Sequence, residues 1–309
     1  MKVLVTGATG FIGSALLRSL QSTEIDLFAC ARNVPIIGLD SRHVCWLECD
    51  LNSSKDPLRE VGGFDAVVHL AARAHVFDEK ECEPLEEYRK TNVQGSIRLA
   101  RNAAGHGTKR FVFISSIGVN GNRSFRPFTA GDPPAPVEPY AVSKLEAETE
   151  LRRVSAETGI ELVVIRPALV YGPRAPGNFG RLVKAVRSGI PLPFAAVKNR
   201  RSLVALANLV DLITTCIDHP EASGRTFLVS DGEVISTPEL IRKLARAVGR
   251  PARLFPVPTE LLMLAARMVG RTAEMEKLTG SLEVDASHTC ETLGWHPPVS
   301  MDQALSDVL

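Results

Sequence analysis

A chain of 309 residues, 45% hydrophobic and 23% charged, has the length to bury a large core in one or two domains and the composition of an ordinary globular protein, which excludes disordered and fibrous classes. Its 36 basic and 35 acidic residues leave a formal charge of +1, so no general attraction to nucleic acid or to an anionic membrane is expected, although a local basic site remains open. The cysteines at 30, 45, 49, 82, 216 and 290 contain no Cys-x-x-Cys and no metal-type spacing with the histidines; reduced, mostly buried thiols of a cytoplasmic protein are expected, and no metal site.

Residues 2–13 read Lys-Val-Leu-Val-Thr-Gly-Ala-Thr-Gly-Phe-Ile-Gly, a strand (Val3–Thr6) running into Gly7, Gly10 and Gly13. Gly7 permits a tight strand-to-helix turn, Gly10 lets backbone approach a pyrophosphate, and Gly13 lets the first helix pack closely on the sheet. A structural turn can use the same glycines, but directly after a β-branched strand they predict a dinucleotide at a helix N-terminus. Met1–Leu20 imitates a signal peptide in its apolarity, yet three glycines and Arg18 interrupt it, and secretion is not expected.

Further strands are predicted at Asp26–Ala31, Val44–Cys49, Ala66–Leu70, Arg110–Ser115 and Leu162–Arg166, with helices between them, notably Pro84–Ala104 and Tyr140–Glu157. That alternation is the pattern of an α/β fold, a Rossmann-type doubly wound parallel sheet. From Arg166 onward prolines at 167, 173, 176, 191 and 193 loosen it. A strand at Ser202–Leu206, a helix at Asn208–Asp218, a strand at Arg225–Val229 and helices at Thr237–Val248 and Thr259–Val269 follow. The expected organisation is a dinucleotide domain (1–166 plus 202–230) with a smaller C-terminal substrate lobe (167–201 plus 231–309). No apolar run reaches a membrane span. Leu261–Val269, broken by Arg267, reads as an amphipathic helix for core packing, a dimer surface or loose membrane contact.

Tyr140 and Lys144, at i and i+4, project from one helix face. A phenol ordinarily titrates near 10, so a tyrosine that moves a proton at neutral pH needs positive charge nearby, and the lysine is placed to supply it. Ser115 and Ser116 end the fifth strand, where sheet topology brings strand ends to a ligand crevice. Tyr-x-x-x-Lys alone is a common surface pair; after the glycine turn and the serines it predicts alcohol–ketone chemistry. The second strand ends Ala29-Cys30-Ala31-Arg32-Asn33, without a carboxylate to hold ribose hydroxyls, and Arg32 can attract a 2′-phosphate. NADP is therefore favoured, with NAD open if Arg32 points away.

The glycine run at 7–13, Cys-Asp-Leu at 49–51, Val-His-Leu-Ala-Ala at 68–72, Thr-Asn-Val-Gln-Gly at 91–95, Phe-Ile-Ser-Ser at 113–116, Pro-Tyr-Ala-Val-Ser-Lys at 139–144 and Arg-Pro-Ala-Leu-Val-Tyr-Gly-Pro at 166–173 together carry a resemblance. Over almost its whole length the chain resembles the extended short-chain dehydrogenase/reductase family, in particular its nucleotide-sugar epimerases, dehydratases and reductases. The resemblance implies cofactor contacts from Gly7, Thr9, Gly10, Phe11, Ile12 and Gly13, with Asp50 and Leu51 at the adenine. Leu70, Ala71 and Ala72 would line the groove, Asn92 would support the active-site helix, and Ser115 would lie beside the cofactor. Ser116, Tyr140 and Lys144 would form the catalytic trio, the last two also touching cofactor. Pro167 and Tyr171 would border the nicotinamide end, with Tyr171 near substrate, and Asn178 and Arg201 would hold a nucleotide diphosphate.

Each position also has a plainer reading. Asp50 can cap a helix, Asn92 can bond within one, Ala71, Ala72 and Pro167 can be packing, and Arg200–Arg201 can be a solvated pair. The chain departs from the family pattern at Ala205 and Asn208, where histidine and aspartate are usual. The stretches 72–76, 116–121, 199–204 and 229–233 look most like a bacterial subgroup, some of whose members resemble 4-reductases of UDP-2-acetamido-2,6-dideoxy-4-ketohexose in O-antigen synthesis. With no acidic residue after the second strand, NADPH-dependent 4-keto reduction is the leading expectation, and an NAD-dependent 4-epimerase of UDP-glucose or UDP-N-acetylglucosamine is the alternative. A non-catalytic dinucleotide sensor would be expected to have lost Tyr140 or Lys144. The resemblance further implies a homodimer formed through 84–104 and 140–157.

Overall fold

A computed structural model describes residues 1–34, 44–53, 55–74 and 84–308. Seven parallel strands form the main sheet: β1 (Lys2–Thr6), β2 (Asp26–Ala31), β3 (Val44–Glu48), β4 (Ala66–His69), β5 (Arg110–Ile114), β6 (Glu161–Pro167) and β9 (Thr226–Val229), in the order β3-β2-β1-β4-β5-β6-β9. β4 and β5 are buried along their whole length, because helices cover both faces of a parallel sheet and leave no solvent side for alternation. The strand order reverses between β1 and β4, which opens a crevice beyond their C-terminal ends.

The helices are α1 (Phe11–Leu20), α2 (Pro84–Tyr88), α3 (Ser96–Gly105), α4 (Pro139–Thr158), α5 (Gly177–Arg187), α6 (Leu206–Asp218), α7 (Thr237–Ala247), α8 (Thr259–Met268), α9 (Thr272–Thr279), α10 (Ser287–Leu293) and α11 (Met301–Ser306). One core lies between the sheet and α1 and α6, and another between the sheet and α3 and α4. A third, around Tyr171, Phe179 and Leu244, fills the smaller lobe. Phe11, opening α1, packs against both the first and the third.

Besides elements that the sequence did not predict, among them β7 (Leu169–Tyr171), β10 (Val234–Ile235), α5 and α9 to α11, two predicted ones fold differently. The strand Arg201–Ala205 (β8) does not enter the main sheet; it pairs with β7 and β10 in a separate three-stranded sheet. Its apolar pattern specified a buried strand without specifying which sheet would bury it. The single helix expected at Pro84–Ala104 is interrupted by a π-helical segment, Arg89–Gly95. There Gly95 passes so close to Leu51 that a Cβ would lie 2.9 Å from the Leu51 Cβ, and Asn92 turns its side chain out of the helix.

The described cysteines are all free: Cys30, Cys49 and Cys216 buried, Cys290 half-buried and Cys45 exposed. Cys82, and His75 and Val76 of the 72–76 stretch, lie outside the described residues. Among the described residues no His/Cys/Asp/Glu group could hold a metal ion, and no helix is long and apolar enough to cross a membrane.

Candidate active site

The crevice begins at the β1–α1 turn. Gly7 has φ +64°, a conformation that a side chain disfavours, and a Cβ there would meet the Ala71 backbone nitrogen at 2.7 Å. A Cβ on Gly13 would lie 2.2 Å from the Gly7 carbonyl oxygen. The glycines thus bring the turn against the end of β4 and α1 against the turn. Gly10 caps α1 with no side-chain hydrogen bond, and the first turn of the helix has no acidic residue. An uncapped helix N-terminus over a glycine-bounded turn, with Thr9 and Gly10 exposed and Phe11 and Ile12 half-buried, fits a dinucleotide pyrophosphate.

At the opposite edge of this groove, Leu51 is buried and Asp50 exposed, its Oδ1 accepting from the Asn52 amide at 2.9 Å. Arg32 lies exposed just beyond β2. Leu70, Ala71 and Ala72 are half-buried at the end of β4, and Pro167, buried, ends β6 in register with Val229.

A polar chain fixes the β4 end. The Ser96 hydroxyl donates to the Asn92 carbonyl at 2.7 Å, so Ser96 Oγ must accept from His69 Nε2 at 2.8 Å. His69 Nδ1 then accepts from the Thr6 hydroxyl at 2.7 Å, and Thr6 Oγ1 accepts from the Ala71 amide at 3.3 Å. Burial, aided by the Lys144 charge, pushes His69 down to about 3, which keeps the imidazole neutral and the chain unidirectional. Asn92 continues it: its side chain accepts from the Arg73 amide and donates to the Arg73 carbonyl and to Ser143 Oγ, joining the β4 loop to α4. Its plainer reading, a bond within its own helix, is not the one realised.

Tyr140 and Lys144 stand in the first turns of α4, where Pro139 at the start sets the helical backbone without needing an amide partner. Tyr140 is half-buried, its ring edge-on to Tyr88 at 6.1 Å between centroids. Lys144 is buried; Nζ donates to the Ile114 carbonyl at 2.8 Å and lies 4.5 Å above the Phe113 ring centroid. It is 5.9 Å from the Tyr140 ring centroid. Burial, with the Tyr88 phenol beside it, pushes Tyr140 up to about 12. Burial likewise drops Lys144 to about 7, against the opposing pull of Glu148. The phenol is therefore raised and not lowered, contrary to expectation, because burial outweighs a lysine whose ammonium is held by a carbonyl of β5 and is itself desolvated. Tyr140 keeps its proton at neutral pH.

The two serines separate. Ser116, half-buried, caps the short 3-10 turn Ile117–Val119 by accepting from the Gly118 amide at 3.1 Å. A Cβ on Gly118 would be 3.3 Å from Ala141 Cβ, which places this turn against the start of α4. Ser115 corrects the expectation of a cofactor contact: its buried hydroxyl donates to Glu148 Oε1 at 2.6 Å. Glu148 also takes both arms of Arg166, at 2.9 and 2.6 Å, and Arg166 donates on to Asn120 Oδ1 at 3.0 Å. This closed, buried network ties β5, β6, α4 and the 116–120 turn together behind the candidate trio.

In the smaller lobe Tyr171 also requires correction. It is fully buried against Phe179, and its hydroxyl donates to Asp231 Oδ2 at 2.8 Å, so it is a core residue and not a substrate contact. Asp231 further accepts from the Ala205 amide and from Asn208, which in turn exchanges hydrogen bonds with the Val299 backbone. Asn208 thus holds the C-terminal segment. Arg200 is exposed and forks onto Glu283, whereas Arg201 is half-buried and donates through Nη1 to the Lys277 and Gly280 carbonyls, with no carboxylate partner among the described residues. A desolvated guanidinium without an anion is suited to phosphate oxygens. Asn178 is half-buried in the first turn of α5.

Glu148, His69, Asp231 and Tyr88 were not singled out from sequence. Glu148 carried a usable signal, a carboxylate one helical turn beyond Lys144 on the same face. The others are single residues with no spacing to mark them.

A model of the NAD dependent epimerase/dehydratase family matches residues 3–230. The chain is 44% identical over 304 residues to a UDP-glucose 4-epimerase of Vibrio cholerae, an alignment covering 97% of this chain and 92% of that protein. Its fold is similar to that of the UDP-glucose 4-epimerase of Thermotoga maritima solved with UDP-glucose, with a TM-score of 0.80 at 22% identity over 100% of this chain and 97% of the other. It is also similar to the Bordetella bronchiseptica enzyme WbmG solved with NAD and UDP, with a TM-score of 0.77 at 21% identity over 99% and 92% of the two chains.

Proposed function

Since this chain belongs to the NAD dependent epimerase/dehydratase family, we propose that it is a nucleotide-sugar 4-epimerase, which interconverts the C4 epimers of a UDP-linked hexose using bound NAD. The observation that carries the reading is the 44% identity to a UDP-glucose 4-epimerase across nearly the whole of both chains, taken with the half-buried Tyr140 and the buried Lys144 at the sheet crevice. That identity moves the balance from the 4-keto reduction expected from sequence to epimerisation.

A bound nicotinamide dinucleotide supplies hydride transfer at the sugar carbon. Gly7, Thr9, Gly10, Phe11, Ile12 and Gly13 would hold its pyrophosphate, Asp50 and Leu51 its adenine, and Leu70, Ala71, Ala72 and Pro167 the rest of the groove, which the fully buried Asn92 supports through Arg73 and Ser143 without touching cofactor. Tyr140 holds and exchanges the proton on the reacting oxygen, Ser116 hydrogen-bonds that oxygen, and Lys144 anchors the nicotinamide ribose. Positioned acid–base help of this kind contributes about 10²–10⁴ in rate. Asn178 and Arg201 take the diphosphate of the sugar nucleotide. In this reading residues 1–166 with β9 hold the dinucleotide, residues 167–201 and 231–309 hold the sugar nucleotide, and a homodimer forms through α2–α4.

One observation favours the second reading, an NADPH-dependent 4-ketoreductase: Arg32 is exposed at the end of β2, where no carboxylate would repel a 2′-phosphate. The deciding experiment offers UDP-glucose and UDP-N-acetylglucosamine with NAD, and separately UDP-4-keto-6-deoxy-N-acetylglucosamine with NADPH, while products and cofactor absorbance are followed. C4 epimers formed without net cofactor change are expected. Stoichiometric loss of NADPH with a 4-hydroxy product would replace epimerisation by reduction, and cofactor binding without turnover of any sugar would leave only a dinucleotide sensor.

A further inference from the structure

The described residues include twelve exposed large hydrophobic side chains, and five of them fall between 255 and 269: Phe255, Leu261, Leu264, Met268 and Val269. Leu261, Leu264 and Met268, at i, i+3 and i+7, form a stripe along one side of α8 and are 55%, 55% and 76% exposed. Leu262 and Ala266, at i and i+4, turn into the lobe. The helix therefore has two apolar sides, and only one is needed to attach it. Upstream, the backbones of Phe255 and Leu192 bond to each other, which sets Phe255 next to the segment bearing the exposed Ile190.

Charge along the sequence that carries this stripe is one-sided up to the start of α9. Residues 246–271 contain Arg246, Arg250, Arg253, Arg267 and Arg271 against the single carboxylate of Glu260, in a chain whose overall formal charge is +1. All five arginines are exposed. None forms an ion pair among the described residues, and Arg253 donates only to the Gly189 carbonyl. A second copy of this chain is a poor occupant, because a two-fold contact brings the same positively charged patch to both sides of the interface. An anionic lipid surface satisfies both features, since its headgroups take the arginines and its acyl boundary takes the stripe.

We propose that the outer side of α8, with Phe255 and the exposed arginines of residues 246–271, docks the protein on an anionic membrane surface. The inference is independent of which C4 chemistry the enzyme performs. It has a consequence for the site, because α9 follows α8 directly and reaches the crevice. Lys277 pairs with Glu138 at 2.7 Å, two residues before Tyr140, Glu276 pairs with Arg123 at 3.0 Å, and the carbonyls of Lys277 and Gly280 hold Arg201. Docking through α8 therefore brings the segment that holds Arg201 and Glu138 close to the bilayer.

The test uses full-length protein, sedimented with vesicles of phosphatidylcholine alone or containing phosphatidylglycerol, at low and high salt. Binding is expected only with phosphatidylglycerol and weakens with salt. Leu264→Gln/Met268→Gln and Arg267→Gln/Arg271→Gln should each weaken it by at least about tenfold, with turnover in solution and the elution volume unchanged. Absence of binding by the unaltered protein overturns the proposal. So does binding that either double variant leaves intact, or polyglutamate competing as well as vesicles regardless of the stripe, which marks a soluble acidic partner. A light-scattering mass that falls in the stripe variant would assign the face to self-association instead.

Discussion

Replacing Glu148 by leucine tests whether the candidate trio depends on the charged network behind it. Glu148 is fully buried and Arg166 nearly so, and the two share a bidentate pair at 2.9 and 2.6 Å. Without the carboxylate, the Arg166 guanidinium keeps only Asn120 Oδ1 as a side-chain acceptor and the Ser115 hydroxyl loses its partner. Removing one member of a buried pair costs about 3–5 kcal/mol, chiefly through the stranded charge. The bond to Arg152, a largely exposed side chain, adds little. Glu148→Leu should therefore lower unfolding free energy by that amount in urea titration. Glu148→Leu/Arg166→Met removes both charges and should recover at least about 2 kcal/mol of the loss.

The same pair has a pH signature. Burial pushes the Glu148 carboxyl up, but hydrogen bonding and charge from Arg166, with help from Ser115 and Arg152, hold it below the ordinary carboxylate range. A depressed carboxyl stabilises above its unfolded value and loses that contribution as pH falls through the folded one. The unaltered protein should lose stability on that acid limb, and the double variant should lack this component. A Glu148→Leu penalty within about 1 kcal/mol of zero, or a double variant no better than the single, would refute the assignment of Glu148 as the anchor.

Tyr140→Phe should retain dinucleotide affinity by fluorescence titration while turnover falls by at least about 10²; unimpaired turnover removes Tyr140 from its role. Lys144, held at about 7 in the folded protein, keeps its proton in the unfolded chain up to its ordinary 10.5. Its burial therefore penalises folding most below pH 7, and stability should rise by up to about 1.4 kcal/mol per pH unit between these values. The urea midpoint of Lys144→Met relative to that of the unaltered protein should be higher at pH 6 than at pH 9, and an offset that does not change with pH contradicts the shift. Gly7→Ala should lower thermal stability by more than the roughly 1–2 kcal/mol of a left-handed alanine, because its Cβ meets backbone at 2.7 Å, and should weaken dinucleotide binding. Gly107→Ala, with φ +82° and nothing within 4 Å, is the control that shows the conformational cost alone.

The strands of the main sheet and the longer helices of the first half were legible in the sequence because buried parallel strands leave unbroken apolar runs and helices leave a spaced stripe, and each signal is local, whereas the eleven-residue α5 was missed among prolines and glycines. The glycine turn and the Tyr140–Lys144 spacing were legible for the same reason, since both are set within a few residues of chain. Ser115 and Ser116, adjacent and chemically identical, could not be told apart until folding set Glu148 against one of them. Tyr171 suggested a substrate contact until the smaller lobe closed on Asp231, a residue sixty positions away. The main sheet accepted Thr226–Val229 and rejected Arg201–Ala205, although both are short and apolar. The local chain thus determined which groups exist and how they are spaced along each element. Only tertiary structure decided which polar groups meet in the interior and so which remain free to act, because burial and partnership depend on contacts between segments far apart in sequence.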